Sequence, residues 1–428
     1  MYGCQQVLIH PDKDLKALLE YVCTEAKKLN NCGVYYARQL FFKTGKIPSR
    51  VDLHKQLGTI QRNSHYQALY SDTAQQILTS VAESFKSYIG LLKGIKQGTV
   101  NQKPWLPNYC KSVMSLATFT GRSLKLKDGL IRLPLGTKVK AWFGIDAFYL
   151  PMPSNLDFKA IRELRILPRN RQFYAEFVYE TATIQSDVDQ DRVLGIDHGL
   201  NNWLTCVSNV STSLIVDGKH LKSINQWYNK SIAKIKVGKP QGFWSNRLAA
   251  ITEKRNRQMR NAVNRASRIV INHCLENRIC AIVFGWNEGQ KDSANMGKKN
   301  NQKFVQIPTA KLKTRIAQLC EQYGLVFVET EESYTSKSSF LDGDILPKFR
   351  EKPKGWKSSG TRINRGLFKT EKGIKINADC NGAANIIRKV AAIFKFDLSG
   401  VGRGCLSQPK KVLLWTLQKS PHLQVGEA

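Results

Sequence analysis

Paired cysteines are the first thing this sequence lacks. It has 428 residues and 10 cysteines, but the cysteines are scattered and no C-x-x-C occurs. A four-cysteine zinc site therefore has no support in the spacing. A disulfide framework is not expected either, because reduced thiols in a long basic chain serve mostly as small core side chains. Long apolar runs are missing as well. None reaches about 18 residues, so no membrane-spanning helix is expected. The opening MYGCQQVLIHPDKDLK lacks the charged head, apolar stretch and small-residue cleavage site of a secretory signal. We expect the chain to act where it is made.

Acid is also scarce. Asp and Glu number 33 against 66 Lys and Arg, a formal charge of +33. Such an excess selects a polyanionic partner. Nucleic acid comes before an anionic membrane surface, since no Lys-rich amphipathic terminal helix favours the latter. The length predicts about three domains or one elaborated fold. The 42% hydrophobic fraction agrees with a core that needs no covalent staples.

No internal repeat or low-complexity tract interrupts the chain. Residues 12–100 read as helical: Leu15, Leu18, Val22, Ala26 and Leu29 recur at helix spacing, and 71–96 form another helix. From about 112 to 182 the pattern turns to strands. SLKLKDGLIRLPL alternates around a Lys-Asp-Gly turn, and LRILPRNRQFYAEFVYE reads as a hairpin. A small antiparallel barrel or sheet is expected there. The acidic DVDQD at 187–191 marks a domain boundary. RVLGID, NWLTCVS and SLIVDG then open an α/β domain as an antiparallel meander. Residues 244–278 form a long helix with Met259, Val263, Ala266, Val270 and Cys274 inward. CAIVFG is a fourth strand. Leu312, Ile316, Leu319 and Tyr323 mark a helix, and GLVFVET is a fifth strand. Residues 333–376 are irregular. ADCNGAANIIRKVAAIF closes the domain as an amphipathic helix, with Ala383, Ile387, Val390 and Ala391 inward. Three strands followed by alternating helices and strands is the layout of a ribonuclease H-like fold.

Phosphodiester cleavage on such a fold uses two divalent metals, and Mg²⁺ asks for clustered carboxylates. Acids at the ends of buried elements are therefore the ones to weigh. Asp197 ends VLGID, with His198, Gly199, Leu200, Asn201 and Asn202 after it; its plainer reading is a turn-capping acid. Asp379 starts the last helix, where it could equally serve as an N-cap. Asn381 and Asn385 share that segment and could position the acid or touch nucleic acid. Asp217 ends the third strand as a turn acid or an auxiliary one. The long helix carries Lys254, Arg255, Arg257, Arg260, Arg265 and Arg268, a phosphate-contacting face or an ordinary solvated one.

GIDHGLNNW, the Gln-Ile-Pro before the helix leading to the fifth strand, EESYTSKSSF and NADCNGAANI together resemble TnpB, the RNA-guided nuclease of insertion sequences also called OrfB transposase. The family is similar to the ancestor of type V CRISPR effectors. The resemblance covers essentially the whole chain, and its specific motifs lie in the C-terminal half. It implies a multidomain α+β protein with a helical recognition region, a β-barrel wedge and a RuvC-like nuclease domain carrying a small insert. The implied boundaries are 1–11 for a first wedge strand, 12–108 for recognition helices and 109–186 for the wedge. They continue with 190–332 for the first part of the nuclease, 333–376 for the insert, 377–396 for the last nuclease helix and 397–428 for a tail. By resemblance Asp197 is the first catalytic aspartate and Asp379 the last.

Two departures follow. The family's usual middle Glu, directly after the fourth strand, is Gly285 here. Glu288 lies nearby in a Gly-flanked loop and reads as a solvated acid. The fifth strand ends in Glu329, Glu331 and Glu332, and a parallel neighbour lies only about 4.8 Å away. We therefore expect Glu332 to be the third metal ligand, with Glu331 as fallback; the plainer reading of both is a solvated strand end. Second, typical members carry two C-x-x-C pairs in the insert. SKSSFLDGD and GLFKTEKG stand in their places, and residues 333–376 offer no Cys or His. A metal-free insert is expected, held by Phe340, Leu341, Ile345, Trp356 and Phe368, with no structural zinc.

Lys111, Arg122, Lys125, Lys127, Lys138, Arg162, Arg165, Arg169 and Arg171 lie in the wedge region, which in the family grips guide RNA. Tyr35, Tyr36, Phe41 and Phe42 stack on bases or pack a helical core. Asn225, Gln226 and Asn229 contact nucleic acid or are surface amides. The resemblance implies a cytoplasmic, nucleoid-associated bacterial nuclease that takes its guide from transposon-end RNA and cuts target DNA with two Mg²⁺, leaving a 5′-phosphate and a 3′-hydroxyl. The alternative is a nuclease-inactive, RNA-guided DNA binder. A DDE transposase would order its acids Asp, Asp, Glu, whereas here the order is Asp, Glu, Asp.

Overall fold

A computed structural model describes residues 1–287 and 307–415. Glu288, Gln306 and the end of the tail lie outside the described residues. The chain divides into two compact units, Met1–Thr181 and Ala182–Ala428. Among the described residues no helix is long and apolar enough to cross a membrane.

The first unit begins with β1 (Tyr2–Ile9) and α1 (Lys13–Thr44). Asp12 caps α1 by accepting from the Leu15 N–H at 2.8 Å, and Gly45 ends it in the left-handed region at φ 70°. Leu19, Val22, Cys23, Ala26 and Leu29 are buried, a stripe at i, i+3 and i+4 spacing. They share one core with α4 (Ser71–Lys96), reached through the short α2 (Arg50–His54) and α3 (Ser64–Ala68). Strands β2 (Ala117–Thr120), β6 (Ile161–Arg169) and β7 (Gln172–Glu180) join β1 in a sheet ordered β1-β7-β6-β2. Strands β3 (Lys125–Lys127), β4 (Leu130–Pro134) and β5 (Ala147–Pro151) form a second one, with α5 (Thr137–Phe143) between β4 and β5. The strand region is thus two separate sheets. Both expected hairpins close on two residues with positive φ, Asp128-Gly129 and Asn170-Arg171, the turn whose twist matches the flanking strands.

The second unit is built on a six-stranded sheet. Strand β8 (Asp189–His198) pairs antiparallel with β9 (Asn202–Ser208), and β9 with β10 (Ser213–Asp217). On the other side of β8 lie β11 (Ile279–Gly285) and β12 (Val326–Thr330), both parallel. A strand that the sequence pattern did not reveal, β16 (Lys410–Val412), extends the β10 edge in parallel. Helices α6 (Lys219–Lys236), α7 (Asn246–Glu276) and α8 (Thr309–Tyr323) pack one face, and α9 (Ala378–Phe394) packs the other. Between β12 and α9 the insert carries the short β13 (Thr361–Asn364), β14 (Leu367–Lys369) and β15 (Lys375–Asn377).

Burial on both faces explains why VLGI and ICAIVFG read as unbroken apolar runs. Side chains still alternate along each strand. On β8, Leu194 and Ile196 join the α7 side, while Val193 joins α9. Gly195 and Asp197 therefore face α9 too. A Cβ on Gly195 would collide with the Ala383 carbonyl oxygen and lie 2.5 Å from Ile387 Cγ1, so helix and strand meet at backbone distance. We predict that Gly195→Ala lowers stability by about 1–3 kcal/mol, the ordinary cost of overpacking a core that cannot yield. An unchanged denaturant midpoint would refute this close approach.

Candidate active site

Alternation along β8 sends Asp197 from the end of the strand toward the first turn of α9, where Asp379 is the second residue. Gly382 makes the meeting possible: a Cβ there would sit 2.8 Å from Asp197 Oδ2. Alternation along β11 has the same effect. Ala281 and Val283 face α9, so a side chain on Gly285 would face it as well. That space is taken. A Cβ on Gly285 would lie 2.5 Å from Ile386 Cδ1 and 3.3 Å from Glu332 Oε2. The register pairs Gly285 with Thr330, and Glu332 follows two residues later and brings its carboxylate back over the glycine.

The three expected acids thus come together. Burial pushes the Asp197 carboxyl well above the usual range, and the charges of Glu332 and Asp379 push it further. Arg362 and the His198 backbone N–H oppose them only in part. Each of the other two acids has its own partners. Asn202 Nδ2 donates to Asp379 Oδ2 at 2.7 Å, and Arg362 pairs with Asp379 Oδ1 at 3.1 Å. Asn287 Nδ2 donates to Glu332 Oε1 at 3.3 Å and Asn287 Oδ1 accepts from the Glu332 N–H at 3.1 Å, while His198 Nε2 lies 3.8 Å from Glu332 Oε2. The His198 ring stacks on Phe284, with centroids 5.9 Å apart. Among the described residues no three His, Cys, Asp or Glu groups stand at metal-binding spacing. The donor chemistry is still of the kind a hard divalent cation takes: three carboxylates lie near enough for the charges of Glu332 and Asp379 to add to burial in raising Asp197.

Glu331 is turned elsewhere. It pairs with Lys389 and accepts from the Ser333 N–H at 2.9 Å. Burial would raise its carboxyl, but these bonds and the Lys389 charge outweigh burial and hold it low. Glu329 pairs with Lys313 at 2.6 Å. Asp217 is a turn acid, accepting from the Lys219 N–H at 2.7 Å and pairing with Lys411 at 3.2 Å.

The amides and guanidiniums expected at a nucleic-acid surface are placed differently. Asn381 and Asn385 are fully buried and bond the backbone of residues 335–340. On α7, Arg260 pairs with buried Glu253 at 3.4 Å, Arg265 donates to the Leu414 carbonyl at 2.9 Å, and Arg268 donates to the Tyr323 hydroxyl at 2.7 Å. Arg265 and Arg268 tie the helix to its neighbours, Arg260 pairs within the helix, and Arg257 is half-buried. Asn202, Asn287 and Arg362 were not singled out as site residues from the sequence. Asn202 sits in the quoted GIDHGLNNW motif, whereas nothing in TRINRG marks Arg362.

The insert also differs from its expected build. Phe368 is buried and Phe340 and Leu341 are partly so, but Ile345 is 70% exposed. Its centre is polar. Asp344 Oδ2 accepts from the Ser339 N–H at 2.7 Å and the Ser358 hydroxyl at 3.1 Å, and Oδ1 accepts from the Ser359 hydroxyl at 2.6 Å. Asp342 Oδ2 accepts from the Ser339 hydroxyl at 2.5 Å and the Glu371 N–H at 2.9 Å. Two aspartates thus cross-link three segments of the insert.

The first unit holds a basic cleft of about 890 Å³, lined by Arg50, His54, Lys55, Arg122, Lys159 and Arg162 among others. Arg122 also pairs with buried Asp72, and Arg162 with Glu180. Tyr36 packs against the helical core and Phe41 lies edge-on to Tyr88 at 6.1 Å, while Tyr35 and Phe42 are exposed.

Two family models match the chain. One, OrfB_IS605, described as a probable transposase, matches residues 176–288. The other, a Cas12f1-like TNB domain, matches residues 310–386. No curated protein matches. Among solved structures, a Cas12f1–sgRNA–target DNA complex aligns at TM-score 0.59 with 16% identity, covering 88% of this chain and 83% of that one. The mini-RNA-guided endonuclease CRISPR-Cas_phi3 aligns at TM-score 0.47 and 10% identity, covering 91% and 92%. The Cas12f1 match shows a shared fold. The family models add sequence similarity to OrfB_IS605 over residues 176–288 and to the Cas12f1-like TNB domain over residues 310–386.

Burial would raise the Asp344 carboxyl, but the donors of Ser359, Ser339 and Ser358 outweigh it and hold it below its ordinary value. A depressed carboxyl stabilises above the unfolded value, about 3.9, and loses its contribution as pH falls through the lower folded one. We predict that Asp344→Asn opens residues 333–376 to protease at neutral pH, at a cost of about 1–3 kcal/mol for stranded donors. The native protein should show the same opening only below about pH 4. Equal protease resistance of the two proteins at pH 7 would discount the aspartate cross-link.

Proposed function

We propose that this chain is an RNA-guided DNA endonuclease of the TnpB type, with Asp197, Glu332 and Asp379 as its catalytic carboxylates. One observation carries the reading: the Glu332 carboxylate lies in the space a residue-285 side chain would enter, on the face where Asp197 and Asp379 meet. The acid absent after β11 is supplied by the next parallel strand. The sheet order, with an antiparallel meander followed by two parallel strands and helices on both faces, supports reading Ala182–Ala428 as a RuvC-like nuclease domain. We read Met1–Thr181 as recognition helices and wedge, with residues 333–376 as the insert.

Two Mg²⁺ ions, held by the three acids, would supply Lewis acidity at the scissile phosphate and a more acidic bound water. The chain's own part is to hold those acids. Asn202 and Arg362 orient Asp379, Asn287 orients Glu332, and His198 lies beside it. The +33 charge supports a guide RNA and a target DNA as partners. The guide would come from the transposon end and read the target by pairing. The exposed cations of the first unit's cleft would contact phosphates.

Glu332→Gln is expected to abolish Mg²⁺-dependent cutting of a guide-matched DNA while RNA binding stays intact. Glu331→Gln should still cut. Retained cutting by Glu332→Gln would remove the assignment. Guide-dependent binding without cutting by the native chain would make it an RNA-guided binder instead. Replacing Arg50, Lys55 and Lys159 together by Ala should weaken nucleic-acid binding and reduce the salt slope by about 2–3, close to one for each phosphate no longer neutralised. An unchanged slope would exclude the cleft from the interface.

A further inference from the structure

Helix α9 carries Asp379 and, further along it, Asn381 and Asn385, both with no exposed surface. Fully buried amides on a helix face are costly unless every group they meet requires them. Here the groups they meet belong to one stretch of backbone. Asn381 Nδ2 donates to the Ser338 carbonyl at 2.8 Å and its Oδ1 accepts from the Phe340 N–H at 2.9 Å. Asn385 Nδ2 donates to the Thr335 carbonyl at 2.9 Å and to the Ser338 carbonyl at 2.8 Å. Two carbonyls require two donors, so the orientation of the Asn385 amide is fixed. Its Oδ1 is buried with no hydrogen-bond partner among the described residues, so the two donor bonds alone set its place.

Thr335 passes the constraint on. Its N–H lies 3.3 Å and its Oγ1 2.8 Å from the Glu332 carbonyl, and both donate to it. The Glu332 N–H is held from the other side by Asn287. The peptide carrying Glu332 is thus pinned at both ends, and one pin leads through Thr335 to the helix that bears Asp379. Asn385 stands six residues from Asp379, about 9 Å along a rigid axis at 1.5 Å per residue.

We propose that Asn381, Asn385 and Thr335 are positioning residues that fix the Glu332 carboxylate relative to Asp379. Glu332 lies beyond the end of its strand, where backbone is ordinarily mobile. A loop-borne ligand needs such a tether, because an error of about 1 Å in a reacting group costs on the order of 10²-fold in rate. The insert supplies the tether and α9 anchors it. This inference rests on the reading of Asp197, Glu332 and Asp379 as the active site.

The test compares Thr335→Val, which keeps the shape and loses the hydroxyl, with Thr335→Ser, which keeps the hydroxyl. Each full-length protein is prepared with its copurified RNA. Mn²⁺ is titrated against unfolding temperature without target DNA, with an Asp197→Ala complex subtracting the response of the RNA. Ligand-linked stabilisation reports Mn²⁺ affinity directly. Thr335→Val should shift the Mn²⁺ midpoint upward about tenfold and lower kcat for target cleavage about 10–100-fold at unchanged KM, and Thr335→Ser should restore both to within about twofold. Asn385→Ala should match Thr335→Val and is the deciding variant if Thr335→Val does not fold. A native midpoint and kcat in both variants would overturn the positioning role while leaving the nuclease reading intact. A native complex with neither an Mn²⁺ response above Asp197→Ala nor cleavage would overturn the active-site reading, and the inference with it.

Discussion

The distance of closest approach between β8 and α9 governs the second unit. Gly195 lets the helix backbone at Ala383 come against the strand, and Gly382 leaves room for the Asp197 carboxylate under the helix. Interiors packed to crystal density have no slack to absorb an extra methyl group at such a crossing. The alternation that turns Gly195 toward the helix turns Asp197 the same way, two residues on. One packing requirement therefore brings a strand-end acid beneath a helix-start acid.

That closeness has an electrostatic consequence. A chain of charge +33 sets three of its few acids in one partly buried corner. Taken from water and set beside each other, they favour the neutral form of Asp197. The neighbours answer this unevenly. Asp379 has a guanidinium and an amide, and Glu332 has an amide and an imidazole within 3.8 Å. Asp197 has no ion-pair partner of comparable closeness among the described residues. The same logic separates Glu331 from Glu332: Lys389 neutralises Glu331 and removes it from the corner.

Much of this was legible in the sequence because period and punctuation carry it. The five strands from RVLGID to GLVFVET, the long helix of 246–276 and the closing helix of 378–394 all follow apolar patterns that only burial explains. Asp197 and Asp379 stand where those patterns stop. Three things were not legible. Strand β16 is three residues long in a tail without periodicity, and only its pairing with β10 reveals it. The arginines of α7 look like a solvent face, because a sequence does not show that a tyrosine of α8 or the Leu414 carbonyl lies within reach. The insert packs Phe340, Leu341 and Phe368 as its apolar pattern indicates, but serines and aspartates that the pattern does not mark cross-link it as well. Polar residues signal solvent unless their partners are known, and the partners here are up to 29 residues apart.

The insert is cross-linked by carboxylates that join segments distant in the chain. A tetrahedral ion joins two distant chain segments through four ligands. A carboxylate that accepts from several donors can also join segments, since each ionised acceptor strengthens its bonds. Asp344 joins 339 to 358 and 359, and Asp342 joins 339 to 371. The requirement passed to the rest of the fold is that residues 335–340 lie rigidly along α9, where Asn381 and Asn385 grip them. Meeting it requires that these segments be held. In the proposed active site the third acid need not start from β11, provided the segment that carries it is held equally well. On the proposed reading of the site, the displaced glutamate and the aspartate-linked insert are two parts of one arrangement: Glu332 lies beyond the end of its strand, and the insert that follows it is bonded to the helix carrying Asp379.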